Sequence, residues 1–290
     1  MKNKFKSIVG AALLCCALGA VVTTPSLAFA QDTAEQQEMT RQIQALGWYK
    51  TGQTGDIAGK ATFVATQKHT FLNSADTDRF LIINGNPPRG SAYTVAPTES
   101  DWFAVLSFSP EGYIKDDEKI DAEALLTSLK ESSAAEGENR RKAGYNALSV
   151  VGWAIPPRYD TTTNRLEWAT LLRDETDQSM LANVSTKILG RSGFTNVTLV
   201  SNSPQTVEKD LADFKLAMAN FSYVSGEKYS DWKQGDKVAA YGLGALVLGG
   251  AAAVATSKGG FKAIGIAILA GVAALWGVVK RFVSRKKTPQ

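Results

Sequence analysis

The chain has 290 residues, 32 basic and 28 acidic side chains for a formal net charge of +4, and two cysteines. All 28 acidic residues lie between Gln31 and Asp236, against 21 basic ones, so that stretch carries −7 and lacks the basic face that a nucleic-acid partner needs. Both cysteines, Cys15 and Cys16, sit in the apolar run near the start, so the rest of the chain has no thiol for a disulfide, a thiolate nucleophile or a zinc–sulfur site.

Lys2, Lys4 and Lys6 precede an apolar stretch from Ile8 to Val22, and Leu27-Ala28-Phe29-Ala30 ends it with small residues at the spacing of a leader cleavage site. These are the three parts of a secretory signal peptide, residues 1–30, cleaved after Ala30. Residues 31–235 then read as one exported domain, large enough to bury its own core. Glu35–Leu46 has Met39, Ile43 and Leu46 at helical spacing. From Gly55 to Ile83 the pattern is β-like, with strands expected at 61–65 and 79–83 and dense turn signals at Asn84–Pro88. Asp101–Phe108 reads as a buried strand, and Asp121 as the cap of a helix carrying Leu125, Leu126 and Leu129 on one side.

The stretch GWAIPPRYD, residues 152–160, interrupts a hairpin expected from 148–155 and 165–172, with Pro156-Pro157 ending its first strand. A second hairpin pairs 180–189 with 194–200. Ser203-Pro204 opens a last helix whose Val207, Leu211, Phe214, Met218 and Phe221 form one apolar face. Tyr229–Gly235 reads as the link to a membrane. The expected fold class is α+β, a mostly antiparallel sheet covered by helices on one side, followed by a C-terminal transmembrane segment or helical hairpin.

That membrane segment spans residues 236–281. Val238–Thr256 and Ala263–Val279 are uncharged runs of 19 and 17 residues around a turn-like break, and a basic tail, 282–290, follows. Small residues recur every four positions, at Ala245, Gly249 and Ala253 and again at Ala263, Ala267 and Gly271. Such stripes let helices pack closely in lipid and favour a hairpin. The basic residues Lys280, Arg281, Arg285, Lys286 and Lys287 favour instead one crossing with the tail in the cytoplasm. The length of both runs tips the reading toward the hairpin, with one crossing or two left open.

The chemical candidates are few. His69, the one histidine, follows Lys68 in a polar stretch and reads as a surface or turn residue. Gly55–Lys60 lacks the spacing and the Ser or Thr of a phosphate loop. Asp116, Asp117 and Asp121 are weak candidate calcium ligands, since an acidic run before a helix more often complements its dipole and caps it. Asp160 and Glu167 are the best carboxylate pair for general acid–base chemistry, against the plainer reading of Asp160 bonding the backbone of Thr162 in a turn. Trp153, Arg158 and Tyr159 are candidates for a partner-binding edge. The inventory calls for no cofactor.

Four stretches, DWFAVLSFSPEGYIKDDE (101–118), GWAIPPRYD with NRLEWA (152–169), KILGRSGFTNVTLV (187–200) and YSDWKQGDKVAAYGLGALVLGG (229–250), resemble the bacterial family catalogued as domain of unknown function 2167. The likeness runs from about Gly47 to Lys280. It implies a Gram-negative envelope protein with a leader and a C-terminal membrane segment, and no established activity or catalytic residues to carry over. The expected protein is therefore held at the bacterial inner membrane with its main domain in the periplasm. It contacts the lipid bilayer, and an envelope protein or a second copy of itself, as a non-enzymatic interaction or structural module. The alternative is an envelope hydrolase using Asp160 and Glu167.

Overall fold

Alternation of buried and exposed side chains, the mark of strands covered on a face, runs through much of the chain. The computed structural model describes residues 26–84, 86, 88–99, 102–142, 147–201 and 205–249. The chain divides into a first unit ending at Ala45 and a second from Leu46 onward. In the first, helix α1 (Ser26–Gln44) contains most of the expected helix and begins earlier.

The second unit holds strands β1 (Thr54–Ile57), β2 (Ala61–Val64), β3 (His69–Leu72), β4 (Tyr93–Pro97), β5 (Phe103–Ser109), β6 (Leu148–Asp160), β7 (Arg165–Asp174), β8 (Met180–Leu189), β9 (Phe194–Val200) and β10 (Phe221–Tyr223). Its helices are α2 (Ser74–Ile83), α3 (Ala122–Lys142), α4 (Val207–Ala217) and α5 (Leu243–Val247). Seven strands form one sheet in the order β3-β4-β5-β9-β8-β7-β6, and β1-β2-β10 form a second. Every strand pair is antiparallel, so the α+β class with antiparallel sheets holds.

Helices cover both faces of the large sheet, where the sequence predicts cover on one. Along β7, Ala169 belongs to one core cluster and its neighbour Trp168 to the other, as alternation requires. The first cluster gathers Ala104, Leu106, Val184, Val197 and Leu199 of the sheet under Leu211 and Phe214 of α4 and under Ile57 and Phe63 of the small sheet. The second packs Leu148, Leu166 and Leu172 against Leu125 and Leu129 of α3 and against Leu243, Leu246 and Val247 of α5. Leu81 of α2 meets Val105 of β5, a position that alternates out of the first cluster. The buried Tyr223 hydroxyl ties the two sheets together, donating to the Ile188 carbonyl at 2.6 Å and accepting from the Thr195 N–H at 3.0 Å.

Two local expectations change. Residues 79–83 are helical, because the Asn73 side chain caps α2 by accepting from the Asp76 N–H at 2.9 Å and Thr77, Phe80 and Leu81 form its buried face. The apolar run Phe80–Ile83 mimics a strand only when read without its cap. In β6 the strand continues through Pro156-Pro157 to Asp160, with register shifts at 150/152, 153/155 and 155/158. Pro156 and Pro157 fall in the 155/158 irregularity of this edge strand and pair with no residue of β7, and the irregular register discourages pairing with another chain.

Phe214 is 1% exposed, and its ring meets Trp102 edge-on at 5.9 Å. Phe214→Ala is expected to lower the unfolding free energy by about 3–5 kcal/mol. Leu216→Ala, on the same helix at 66% exposure, should change it by less than about 0.5 kcal/mol in the same urea titration.

Candidate functional site

The hairpin of β6 and β7 brings Asp160 and Glu167 to one face, because Asp160 pairs with Arg165 and Glu167 lies two positions further along β7. Both are engaged. Asp160 accepts from the Thr162 N–H at 2.9 Å and the Thr163 hydroxyl at 2.8 Å, and those bonds hold its carboxyl below the usual range. A carboxyl so lowered is a poor general acid at neutral pH. Glu167, with a side chain 8% exposed, accepts from Arg158 at 3.0 Å and from Lys215 of α4 at 2.9 Å. It is a tie between the hairpin and the helix above it.

Trp153, Arg158 and Tyr159 do not share one face. Trp153 and Tyr159 pack against the second core cluster, where the Trp153 indole donates to the Ala122 carbonyl at 3.1 Å. Burial, and then the Asp116 carboxylate beside it, pushes the Tyr159 phenol well above its ordinary value. Arg158 points to the opposite side, toward Glu167.

His69 is 3% exposed, not a surface residue. It lies on β3 with its side chain on the same face as Phe71, and its Nε2 is 3.3 Å from Asp213 Oδ1 of α4. The Trp102 indole donates to the other oxygen of Asp213 at 2.9 Å. Lys187 opens the stretch KILGRSGFTNVTLV but is no candidate site residue in the sequence. Burial pushes its ammonium down to about 8, and it stands over the Trp168 and Phe194 rings at 5.6 and 5.8 Å while donating to Asn196. Alternating with Ile188 of the first cluster, it faces the other side of the sheet.

The densest convergence lies where the C-terminal part meets the domain. The Tyr113 N–H donates to the Lys237 carbonyl at 2.8 Å, and the Ala239 N–H donates back to the Tyr113 carbonyl at 2.9 Å. The Tyr113 ring stacks on Tyr229 at 4.5 Å and lies 5.4 Å from Trp232, and the Tyr229 hydroxyl donates to the Ile114 carbonyl at 2.8 Å. Arg191 grips both oxygens of Asp236, at 2.7 and 2.8 Å, and donates to the Gly226 carbonyl at 3.2 Å. Burial raises Glu227, but Lys60 at 2.5 Å and the Ser192 hydroxyl outweigh it and leave its carboxyl below the usual range. Gly112, at φ +99°, is required here, since a Cβ would stand 2.8 Å from the Lys237 carbonyl oxygen.

The start of the first uncharged run is therefore part of the domain. Val238 forms a parallel bridge with Tyr113, and a helix begins only at Leu243, where the Gly244 N–H donates to Glu118 at 3.1 Å. That helix ends at Val247, and Gly249 takes φ +113°. Among the described residues no helix is long and apolar enough to cross a membrane. Of the small-residue stripes, Ala245 lies half-buried in α5 and Gly249 in the turn after it, while Ala253, Ala263, Ala267 and Gly271 lie outside the described residues. Tyr229–Gly235, read as a link, opens with a 3₁₀ turn, Tyr229–Asp231, whose Tyr229 stacks on Tyr113.

The acidic run divides its work. Asp121 caps α3 by accepting from the Ala124 N–H at 3.0 Å, Glu118 serves α5, and Asp116 lies against Tyr159. Asp117 is exposed. Among the described residues no three His, Cys, Asp or Glu side chains gather as a metal ion requires.

The sequence model of a family described as a protein of unknown function, DUF2167, matches residues 49–280. No curated protein matches the chain. The solution structure of cyanobacterial PsbP (CyanoP) from Synechocystis sp. PCC 6803 is similar at 11% identity and a TM-score of 0.33, over 61% of this chain and 92% of that one.

The bonds from Arg191 and from the Lys233 N–H hold Asp236 down to about 2, against 3.8 for an unpaired aspartate. A carboxyl lowered in the fold stabilises it above the unfolded value and loses that contribution as pH falls through the folded one. Wild type is expected to exceed Asp236→Asn in urea midpoint at pH 6, with the gap closing between about pH 4 and pH 2. A constant gap across that range would show that the carboxylate charge contributes nothing.

Proposed function

The chain belongs to the DUF2167 family, and on that premise we propose that it is a membrane-anchored envelope protein whose exported α+β domain is a non-enzymatic interaction or structural module, held close to the inner membrane. The observation that carries the proposal is the burial of Leu243, Leu246 and Val247 in the domain's second core. The approach to the anchor thus begins inside the domain core, and only residues 250–262 separate the docked chain from the uncharged run 263–279. The partner is an envelope protein or a second copy of the chain, met close to the bilayer.

The same burial favours one crossing over a helical hairpin. Side chains packed against Leu166 and Leu172 do not face lipid. What remains of the first uncharged run after Val247 is nine residues, 248–256, roughly 14 Å as a helix against a hydrocarbon core of about 30 Å. The 17 residues of 263–279 reach about 26 Å, which a slight thinning or flanking lysines accommodate. One crossing puts Lys280, Arg281, Arg285, Lys286 and Lys287 in the cytoplasm, the side that basic residues favour. The engagement of Asp160 in a turn and of Glu167 between two cations supports a module over a hydrolase.

Beyond the proposed leader the chain has no cysteine, so single cysteines report topology. In cells with a permeabilised outer membrane, an impermeant maleimide should label Thr162→Cys at once and Thr288→Cys only after the inner membrane is broken. Labelling of both from outside would give two crossings. Labelling of neither would end export, and recovery of the chain in the soluble fraction would end anchoring.

A further inference from the structure

We propose that the face around Tyr113 is a lipid-contacting face, which rests on an anionic bilayer surface with Trp232 and Val238 at headgroup depth and Lys233 and Lys237 over lipid phosphates. This deepens the anchored reading above and rests on it. Trp232 and Val238 are 39% and 37% exposed, and both flank Tyr113, the tryptophan 5.4 Å from its ring and the valine paired with its backbone. Tryptophan and tyrosine favour the membrane–water boundary, where a polar edge and an apolar body are both satisfied.

Charge supports the same partner. The segment 31–236 carries −7, which an anionic surface repels. At this face three carboxylates are engaged in hydrogen bonds, while Asp117 is exposed. Asp231 accepts from the Gly226 and Lys228 N–H groups at 3.0 and 3.1 Å, Asp236 is held by Arg191, and Glu118 by Gly244. Lys233 and Lys237 are exposed and make no ion pair among the described residues. They stand next in sequence to Trp232 and Val238, so the basic and apolar groups form one strip.

The proposed crossing at 263–279 selects a bilayer as the occupant. The described chain leaves this junction at Gly249, and residues 250–290 hold the uncharged run 263–279 and the basic tail. Residues 250–262 separate Gly249 from that run and span at most about 50 Å when fully extended, so the strip stays within reach of the headgroups. The turn carrying Trp232 is fixed by the Asp231 cap and by Tyr229 stacked on Tyr113, so little order is lost on contact.

The test uses the full chain in phosphatidylglycerol and in phosphatidylcholine vesicles containing brominated lipid, with tryptophan fluorescence as the readout. The difference between wild type and Trp232→Phe isolates Trp232. The difference from Trp276→Phe isolates Trp276 in the uncharged run 263–279, an independent reporter of insertion. The expected result is quenching of Trp232 by bromines near the headgroup and of Trp276 by deeper ones, with the Trp232 quenching weakened in Lys233→Gln/Lys237→Gln. Quenching of Trp276 without Trp232 would overturn the lipid-contacting face and leave the anchor standing. Quenching of neither would overturn both, and equal Trp232 quenching in the two lipids would overturn the match to anionic headgroups.

Discussion

Two backbone hydrogen bonds, Tyr113 N–H to Lys237 and Ala239 N–H to Tyr113, decide where the C-terminal part of this protein goes. Each contributes only about 1 kcal/mol net. Their consequence is larger, because they set the register that drops Leu243, Leu246 and Val247 into the core formed by α3 and the sheet, where each buried side chain contributes about 1.5–3 kcal/mol. Stacking of Tyr113 on Tyr229 and the two-pronged grip of Arg191 on Asp236 then hold the approach from the other side. Gly112 makes the backbone contact sterically feasible.

The rest of the domain serves this junction as a rigid support. The two-sided sheet is locked from above by α4, through Glu167 with Arg158 and Lys215 and through Asp213 with His69 and Trp102. It is locked from below by α3, through Trp153 and the leucines of the second core. Groups that resemble catalytic residues in the sequence act here as ties between layers. A buried carboxylate between two cations, or a buried histidine against an aspartate, fixes a packing arrangement because leaving either partner unpaired would be costly.

How far the sequence discloses this depends on the range of the interaction. The hairpin 180–189/194–200 is legible to the residue, since two runs rich in β-branched and apolar residues flank a glycine-rich turn. The apolar face of α4 is legible from Val207, Leu211 and Phe214. Helix α2 reads as a strand because its β-prone tail is overruled by a cap at Asn73, and the burial of His69 escapes the sequence because its partner Asp213 is 144 residues away. The junction is the least legible part. Glycine and alanine between 238 and 249 look the same whether they approach lipid or another backbone. The contact from Gly244 to Glu118 spans 126 residues and leaves no periodicity to detect. A faint signal is present in Gly112, Gly242 and Gly244, each at a place where a Cβ would crowd a neighbour.

The most direct measurement is hydrogen exchange of the Tyr113 and Ala239 amides in the full chain held in lipid nanodiscs. If the C-terminal segment is docked as described, both amides exchange as slowly as those of β8 and β9 at the centre of the large sheet, and they open together. Exchange of Ala239 at the rate of an unstructured chain, with β8 and β9 still protected, would contradict the docking and return residues 238–249 to a linker.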